Sequence, residues 1–525
     1  MSEGSWAIRH IVARAAGRRD AAYHPLVDLV RLAAAARRQW LFGVALAAAV
    51  VLRVLVMLAF RPVMWFGGDS ASYLATGLRL IPDPSRVGGY GLFLWLLRPL
   101  HSLALVAAVQ HLMGLATGVL VYLLARRHRL PAWAATLAAV PVLFDAYQLQ
   151  LEADIVPDGP FGLMVVIALC LVLWSPGERR PARSTAAAFV LGVSVLLWPV
   201  GLALLAVLLV ALVIRRAGLV PVAAALLAGA LPVVAYAAWF GLHEHEFTLT
   251  RSDGVYLWSR TMSFADCAVI RPPLDERFLC PPPGPRIAAS LYIWDGSSPL
   301  LRRPGGRFTA QANSLALDFA LRAIGAQPGG YVTAVGHDVA LSFFWDRPVH
   351  PDAGIVDRYQ FADAATAWVP ASLRTPGGGT VAGDQAAYDA GPPAPTRAVQ
   401  PFASWLVSYQ RYAYLPGTLL GVILLAAVAG MAWRRRVRGP GLAWAFAAAI
   451  LLVPPMIADF DLRYLVPAVP AACLAAALAF APRPGDTAQR RWTTSAAATA
   501  TSEPGETRTS SLPSGSTPAA GPESA

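Results

Sequence analysis

The sequence predicts an all-α polytopic membrane bundle of about ten transmembrane helices, joined to an extracytoplasmic mixed α/β domain. Three observations predict it. Of 525 residues, 56% are hydrophobic and 14% charged, where a soluble domain carries about 25% charged residues. The apolar residues gather in runs near the ~20 needed to cross a bilayer. The 43 cations are all arginine, and they cluster between those runs. A net charge of +12 and a pI near 9.9 would suit a nucleic-acid binder. Arginines parcelled out between apolar runs instead follow the pattern of cytoplasmic loops, so no nucleic-acid partner is expected. A mean hydropathy of +0.51 excludes an ordinary soluble enzyme and a disordered or fibrous chain.

Each element follows in order. Residues 1–39 are basic, and no cleavable signal fits because the first apolar run starts near Trp40. The run 40–60 is the first span, and its arginine-rich flank keeps the N-terminus in the cytoplasm. An outer loop follows at 61–89, then a short interfacial stretch at 90–100. A span at 102–125 returns to Arg126, Arg127 and Arg129; one at 131–147 leads out, and one at 160–174 returns to Arg179, Arg180 and Arg183. The apolar stretch 185–214 is broken at Trp198-Pro199-Val200-Gly201 and reads as a re-entrant hairpin of two short helices, ending at Arg215 and Arg216. A span at 219–240 leads to residues 241–412, rich in Gly, Pro, Asp and aromatics, which form the outer domain. Spans at 414–433, 441–457 and 465–481 complete the bundle within residues 413–481, and a Ser/Thr/Ala/Pro-rich tail, 482–525, is expected to be disordered. In this layout every dense arginine cluster lies on one side, with both termini cytoplasmic in a multi-pass plasma-membrane protein.

Cys170 and Cys473 fall within spans and act as apolar fillers. Cys267 and Cys280 fall in the outer domain, where a disulfide between them can persist. The acids that matter lie in three outer loops. The first holds Asp69 and Tyr73, the second Asp145, Glu152, Asp154 and Asp158, and the last Asp459, Asp461, Arg463 and Tyr464. A carboxylate at membrane level is costly to desolvate and needs a partner or a purpose. Taken singly, each has a plainer role. Asp69 and Asp158 suit helix caps, Arg463 an interfacial anchor, and Tyr73, Tyr147 and Tyr464 an aromatic belt. Their shared side points to one cavity over the bundle, in residues 40–240 and the last loop.

The ordered set of motifs resembles the GT-C superfamily of integral-membrane glycosyltransferases, nearest to the bacterial protein O-mannosyltransferase and aminoarabinose transferase branch. The Asp69 segment resembles the first-loop acid of that family, Val156-Pro157-Asp158-Gly159-Pro160 its second-loop acidic motif, and Asp461-Leu462-Arg463-Tyr464-Leu465-Val466-Pro467 its late Arg-Tyr-x-x-Pro pattern. Trp198-Pro199 resembles the family's paired short helices, with Trp where many members carry Arg. The resemblance implies a polyprenyl-phosphate-linked sugar donor, a surrounding membrane lipid phase and a cell-envelope acceptor. It implies Asp69 as base, one of Glu152, Asp154 and Asp158 as second carboxylate, and Arg463 as phosphate clamp, with Tyr73 and Tyr464 on the substrate. Asp69 and Arg463 are then expected on opposite walls of the cavity, a sugar and a phosphate apart. A divalent cation is compatible with such a site, although no tight His/Asp/Glu cluster indicates one. A lipid or sugar transporter or flippase, or a non-catalytic membrane assembly protein, is the alternative reading.

Overall fold

The computed structural model describes residues 39–175, 180–364 and 369–482. Arg179, the basic segment through Arg38 and the Ser/Thr-rich tail after Pro482 lie outside the described residues, and the expected cytoplasmic termini lie there too.

Helix α1 (Gln39–Ala59) is 21 residues long and, after Gln39, apolar except for Arg53, which is buried. It leads into α2 (Gly67–Arg79), α3 (Gly89–Leu97) and α4 (Leu103–Arg127), the last capped by Ser102 accepting from Leu105 N. Next come α5 (Ala132–Phe144) and α6 (Ala146–Ala153), which together pass as one span bent by 49°. Asp145 makes the bend. Its backbone is extended, and its side chain accepts from Tyr147 N and Gln148 N, so it caps a new helix where the old one stops. Then follow α7 (Asp158–Leu173), α8 (Pro181–Leu197), α9 (Gly201–Ile214) and α10 (Leu219–Glu244).

Between residues 245 and 416 the chain forms α11 (Asp253–Thr261), α12 (Cys267–Ile270), α13 (Ala289–Trp294), α14 (Ala310–Ala326), α15 (Pro328–Leu341), α16 (Ala353–Val356), α17 (Val381–Asp389) and α18 (Phe402–Gln410). The final three are α19 (Gly417–Arg434), α20 (Pro440–Ile457) and α21 (Leu465–Ala479). Among the described residues, six helices are long and apolar enough to cross a membrane: α1, α4, α10, α19, α20 and α21 with the preceding turn from Leu462. The bent pair α5 and α6 would make a seventh, and α7, α8 and α9 are shorter apolar helices. This is a membrane protein. The stretch 185–214 is two separate helices of 17 and 14 residues, meeting at a tight turn.

The region read as mixed α/β is helical, and its strands are only two residues long. Strand β1 (Phe60–Arg61) pairs antiparallel with β4 (Arg397–Ala398), and β2 (Arg374–Thr375) with β3 (Gly379–Thr380). Such short ladders cannot carry a sheet. Val356, Tyr359, Val381 and Tyr388 pack into the cluster of the membrane helices, while residues 255–323 close an apolar cluster of their own, including Val255, Trp258, Leu279 and Phe319. The Cys267–Cys280 disulfide, with Cα atoms 6.1 Å apart, lies beside that cluster. The β1–β4 ladder, an ion pair between Arg79 and Asp384, and Thr396 donating to the Val63 carbonyl at 2.7 Å bind the region to the segment after α1. That binding brings α11, α13 and the loop at Tyr359 over the place where Asp69 and Arg463 meet.

Candidate active site

Three segments distant in sequence converge. Gly67, with φ of +54°, turns the chain into α2, a conformation that favours glycine. Asp69 therefore falls in the first turn of that helix. Asp158 is the first residue of α7. Arg463 lies in a single 3₁₀ turn, Leu462–Tyr464, which Asp461 caps by accepting from Arg463 N at 3.3 Å. Arg463 Nη1 donates to Asp69 Oδ2 at 2.9 Å. Its Nη2 and Nε donate to the two oxygens of Asp158 at 2.6 and 3.2 Å, a bidentate fork. Neither acid is merely a cap, because both spend their oxygens on guanidinium groups. The expectation of opposite walls is corrected: Asp69 and Arg463 are directly paired.

Arg86 completes the cluster, donating from Nη1 to Asp69 Oδ1 at 2.5 Å. Sequence reading passed over it because it lies in an irregular Pro-rich stretch among many arginines. Burial pushes the Asp69 carboxyl up, but the charges of Arg86 and Arg463 outweigh it and hold the group below its ordinary value. The Arg463 guanidinium lies against Phe66 and Trp198, 5.2 and 5.5 Å from their ring centres. Trp198, at the turn between α8 and α9, also meets Tyr464 at 5.0 Å and Phe161 at 5.4 Å. Tyr464 therefore supports the Arg463 wall from behind. Tyr73 is buried, edge-on to Tyr90 and 5.7 Å from Arg86. From the region over the bundle, Trp294 lies 5.8 Å from Arg86. Tyr256 has its hydroxyl pushed up to about 12 by burial, with the Arg86 charge opposing it. None of these overlying contacts has a local sequence signal.

The remaining predicted acids separate. Glu152 does not join the cluster: Arg53 Nε and Nη2 each donate to it at 2.9 Å, and His111 and Gln148 fill its remaining positions at the same distance. Asp154 is buried, with Arg463 the charge that opposes its protonation. Gln150 donates to its Oδ2, Oδ1 has no partner among the described residues, and burial followed by the nearby charge of Asp158 pushes its carboxyl well up. Asp461 accepts from the Tyr359 hydroxyl, and burial pushes its carboxyl up to about 6. Asp459 accepts from Ser290 N at 2.9 Å and meets His350 at 3.5 Å. Among the described residues, no group of three or more His, Cys, Asp or Glu is placed to hold a metal ion.

The fold and the site together define a membrane protein with an arginine–carboxylate cluster under a helical cover. No protein-family model and no curated protein matches the chain. Solved structures do show a likeness of chain path. The apo oligosaccharyltransferase of Archaeoglobus fulgidus matches 90% of this chain and 53% of its own at 14% identity, with a TM-score of 0.37. Oligosaccharyltransferase AglB of the same organism, in complex with an inhibitory peptide and a dolichol-phosphate, matches the same shares at 13% identity and a TM-score of 0.40. ArnT from Cupriavidus metallidurans, bound to undecaprenyl phosphate, matches 82% of this chain and 77% of its own at 13% identity and a TM-score of 0.34. The chain spans about half the length of the archaeal structures it matches.

Proposed function

We propose that this protein is a GT-C-type glycosyltransferase that moves a sugar from a polyprenyl-phosphate donor to a hydroxyl of a cell-envelope acceptor with inversion. On this reading its site and the 241–412 region face outward across the plasma membrane, and all ten apolar elements span it, with both termini inside. The observation that carries the proposal is the sharing of Arg463 between two carboxylates of unequal exposure. The Asp158 side chain is 1% exposed and that of Asp69 31%. Asp158 keeps the guanidinium in place, while Asp69 is the partner that an incoming anion can displace.

The chemistry follows from that inequality. A donor phosphate takes the Arg463 donor now on Asp69, since charge-assisted bonds to phosphate suit a guanidinium. Asp69 then loses one of the two cations holding its carboxyl down, and its proton affinity rises toward that of a useful base. The acceptor hydroxyl gives its proton to Asp69 as its oxygen bonds to the anomeric carbon. The bond from that carbon to the phosphate oxygen breaks, and the electron pair leaves with the phosphate. Arg463 meets the growing negative charge there. Arg86 continues to orient Asp69, and Tyr256 and Trp294 line the approach from the acceptor side.

The test is sugar transfer in proteoliposomes of the full chain supplied with a labelled polyprenyl-phosphate-sugar pool and envelope extract. Transfer by the wild type that is lost in Asp69→Asn, with the variant still monodisperse in detergent, supports the proposal. Equal transfer by both, or net movement of unaltered donor across the bilayer without transfer, refutes it.

A further inference from the structure

Helix α15 and the turn after it lie across the ends of two apolar helices. Helices α19 and α20, each long enough to cross a membrane, are joined by residues 435–439 alone. A link that short reaches about 20 Å, too little to recross a hydrocarbon core of about 30 Å. Their other ends, Gly417 and Ile457, therefore share one side, and a short link from Ile457 leads to Arg463 and its partner Asp69.

Both ends of α15 are tied to these two points. Near its start, the Tyr331 hydroxyl donates to the Met456 carbonyl at 3.0 Å, one residue before α20 ends. Just past its end, the Phe343 carbonyl accepts from Thr418 Oγ1 at 2.8 Å, in the first turn of α19. The approach is close: a methyl group on Gly417 would fall 2.4 Å from the Ser342 carbonyl oxygen. Arg347 adds a third tie, donating to the Leu415 carbonyl at 2.9 Å with its guanidinium over the Tyr147 and Tyr414 rings. At 14 residues, or about 21 Å, α15 is too short to cross a bilayer. Strung between two points at one membrane level, it runs along the surface.

Its two faces differ. Val335, Asp338 and Leu341 are buried, Leu341 in the cluster of the membrane helices. Asp338 pairs with Arg260 and accepts from Phe460 N at 3.2 Å, which ties α15 to the loop that carries Arg463. The other face leaves Val332 68%, Phe344 52% and Trp345 56% exposed. Large apolar side chains open at this level are ill suited to water. Leu419 and Val422 of α19 and Met456 and Ile457 of α20, beside the points where α15 is tied, are exposed as well. The apolar face is thus continuous with the flank that meets lipid, and tryptophan is the residue of membrane interfaces.

We propose that α15 and the turn to Trp345 are seated in the head-group layer of the leaflet on the Asp69 side, with Val332, Phe344 and Trp345 reaching the acyl boundary. The partner is the lipid surface itself. This seat requires α19 to cross the membrane, as it does under the proposed function.

The test places a nitroxide on one introduced cysteine at a time in the full chain, in vesicles of phosphatidylcholine with phosphatidylglycerol. The sites are Ala340→Cys and Trp345→Cys, with Leu425→Cys in the middle of α19 as the lipid reference. Cys170 and Cys473 are buried and Cys267 is bonded to Cys280, so the native cysteines give little background. Collisions with oxygen that outnumber those with a water-soluble nickel chelate at both α15 sites, at a shallower depth than at Leu425, support the proposal. Nickel collisions equal to those of a label in bulk water overturn it. Exclusion of both reagents also overturns it, because the face is then covered by protein, whether a second copy or another segment of this chain. A water-exposed label at Leu425 refutes the crossing by α19, and the seat falls with it. The wild-type chain, photolabelled by phosphatidylcholine with a diazirine near the head group, covers the case of a variant that fails to fold. Adducts within residues 328–345 support the seat; adducts on α19 with none in 328–345 overturn it.

Discussion

Two of the buried arginine–carboxylate clusters among the described residues differ in ways that separate architecture from chemistry. In the first, Arg53 from α1 and Glu152 from α6 are 3% and 0% exposed, and His111 and Gln148 complete the carboxylate's coordination. Arg53 also donates to the Leu143 carbonyl at 3.0 Å. Four helices are tied by this one pair, and nothing in it is open. Gly114 shows how tightly: a methyl group there would fall 1.7 Å from Glu152 Oε1. In the second, Arg463 serves two acids, Asp69 serves two arginines, and one acid is a third exposed. A closed, neutral pair holds helices together, whereas an open one with exchangeable partners offers itself to a ligand.

The largest expected effect sharpens that contrast. Asp69→Asn should lower transfer by roughly 10²–10⁴-fold, the usual contribution of a positioned base. Its thermal unfolding should move little, since a partly exposed pair contributes about 1 kcal/mol or less. Glu152→Ala should do the reverse. Leaving Arg53 buried and unpaired costs about 3–5 kcal/mol, visible as a lowered melting temperature or aggregation in detergent. Replacing both members, Arg53→Met with Glu152→Leu, should recover part of that loss. If Glu152→Ala instead keeps its stability and loses only transfer, the two clusters have been assigned the wrong way round.

Arg463→Lys keeps the charge and loses the fork. Its KM for donor should rise about tenfold, with a smaller change in kcat, as expected from losing one charge-assisted bond of about 1.5–3 kcal/mol. A fall in kcat with KM unchanged would place Arg463 outside donor binding. The smallest effect concerns Asp461, whose carboxyl is raised in the folded protein from 3.8 to about 6. The folded state holds a proton that the unfolded chain releases, so this contribution to stability is present below pH ~4 and lost as pH rises through ~6. Melting curves from pH 4 to 7 should show the wild type falling relative to Asp461→Asn over that window. Parallel curves would remove Asp461 from the account.

Much of the site was legible because its chemistry stands out against apolar surroundings. Asp69, Asp158 and Arg463 were readable as charges at membrane level that needed partners. The same signal was present for Arg53, a lone cation inside a 21-residue apolar helix, and it should have directed attention to Glu152 as its partner. Arg86, Tyr256 and Trp294 carried no such mark. None of them stands out in its own stretch of sequence, and only the tertiary packing brings Arg86 to Asp69 and Trp294 to Arg86. The helix runs were legible from hydropathy, whereas the break between α5 and α6 depends on how Asp145 spends its oxygens. In the region 241–412 the strands reach only two residues each, while the helices of residues 253–326 close an apolar cluster with Trp258 and Phe319.

The Arg463–Asp69 pair has a consequence for the order of events. If Asp69 is the base, as proposed, the closed pair occupies it, and an acceptor that arrives first meets no group able to take its proton. On the proposed reaction, the donor must bind first and the spent polyprenyl phosphate must leave last. Steady-state kinetics should then be ordered sequential. Free polyprenyl phosphate should inhibit competitively against the donor and non-competitively against the acceptor, and a dead-end acceptor analogue should fail to bind the empty enzyme.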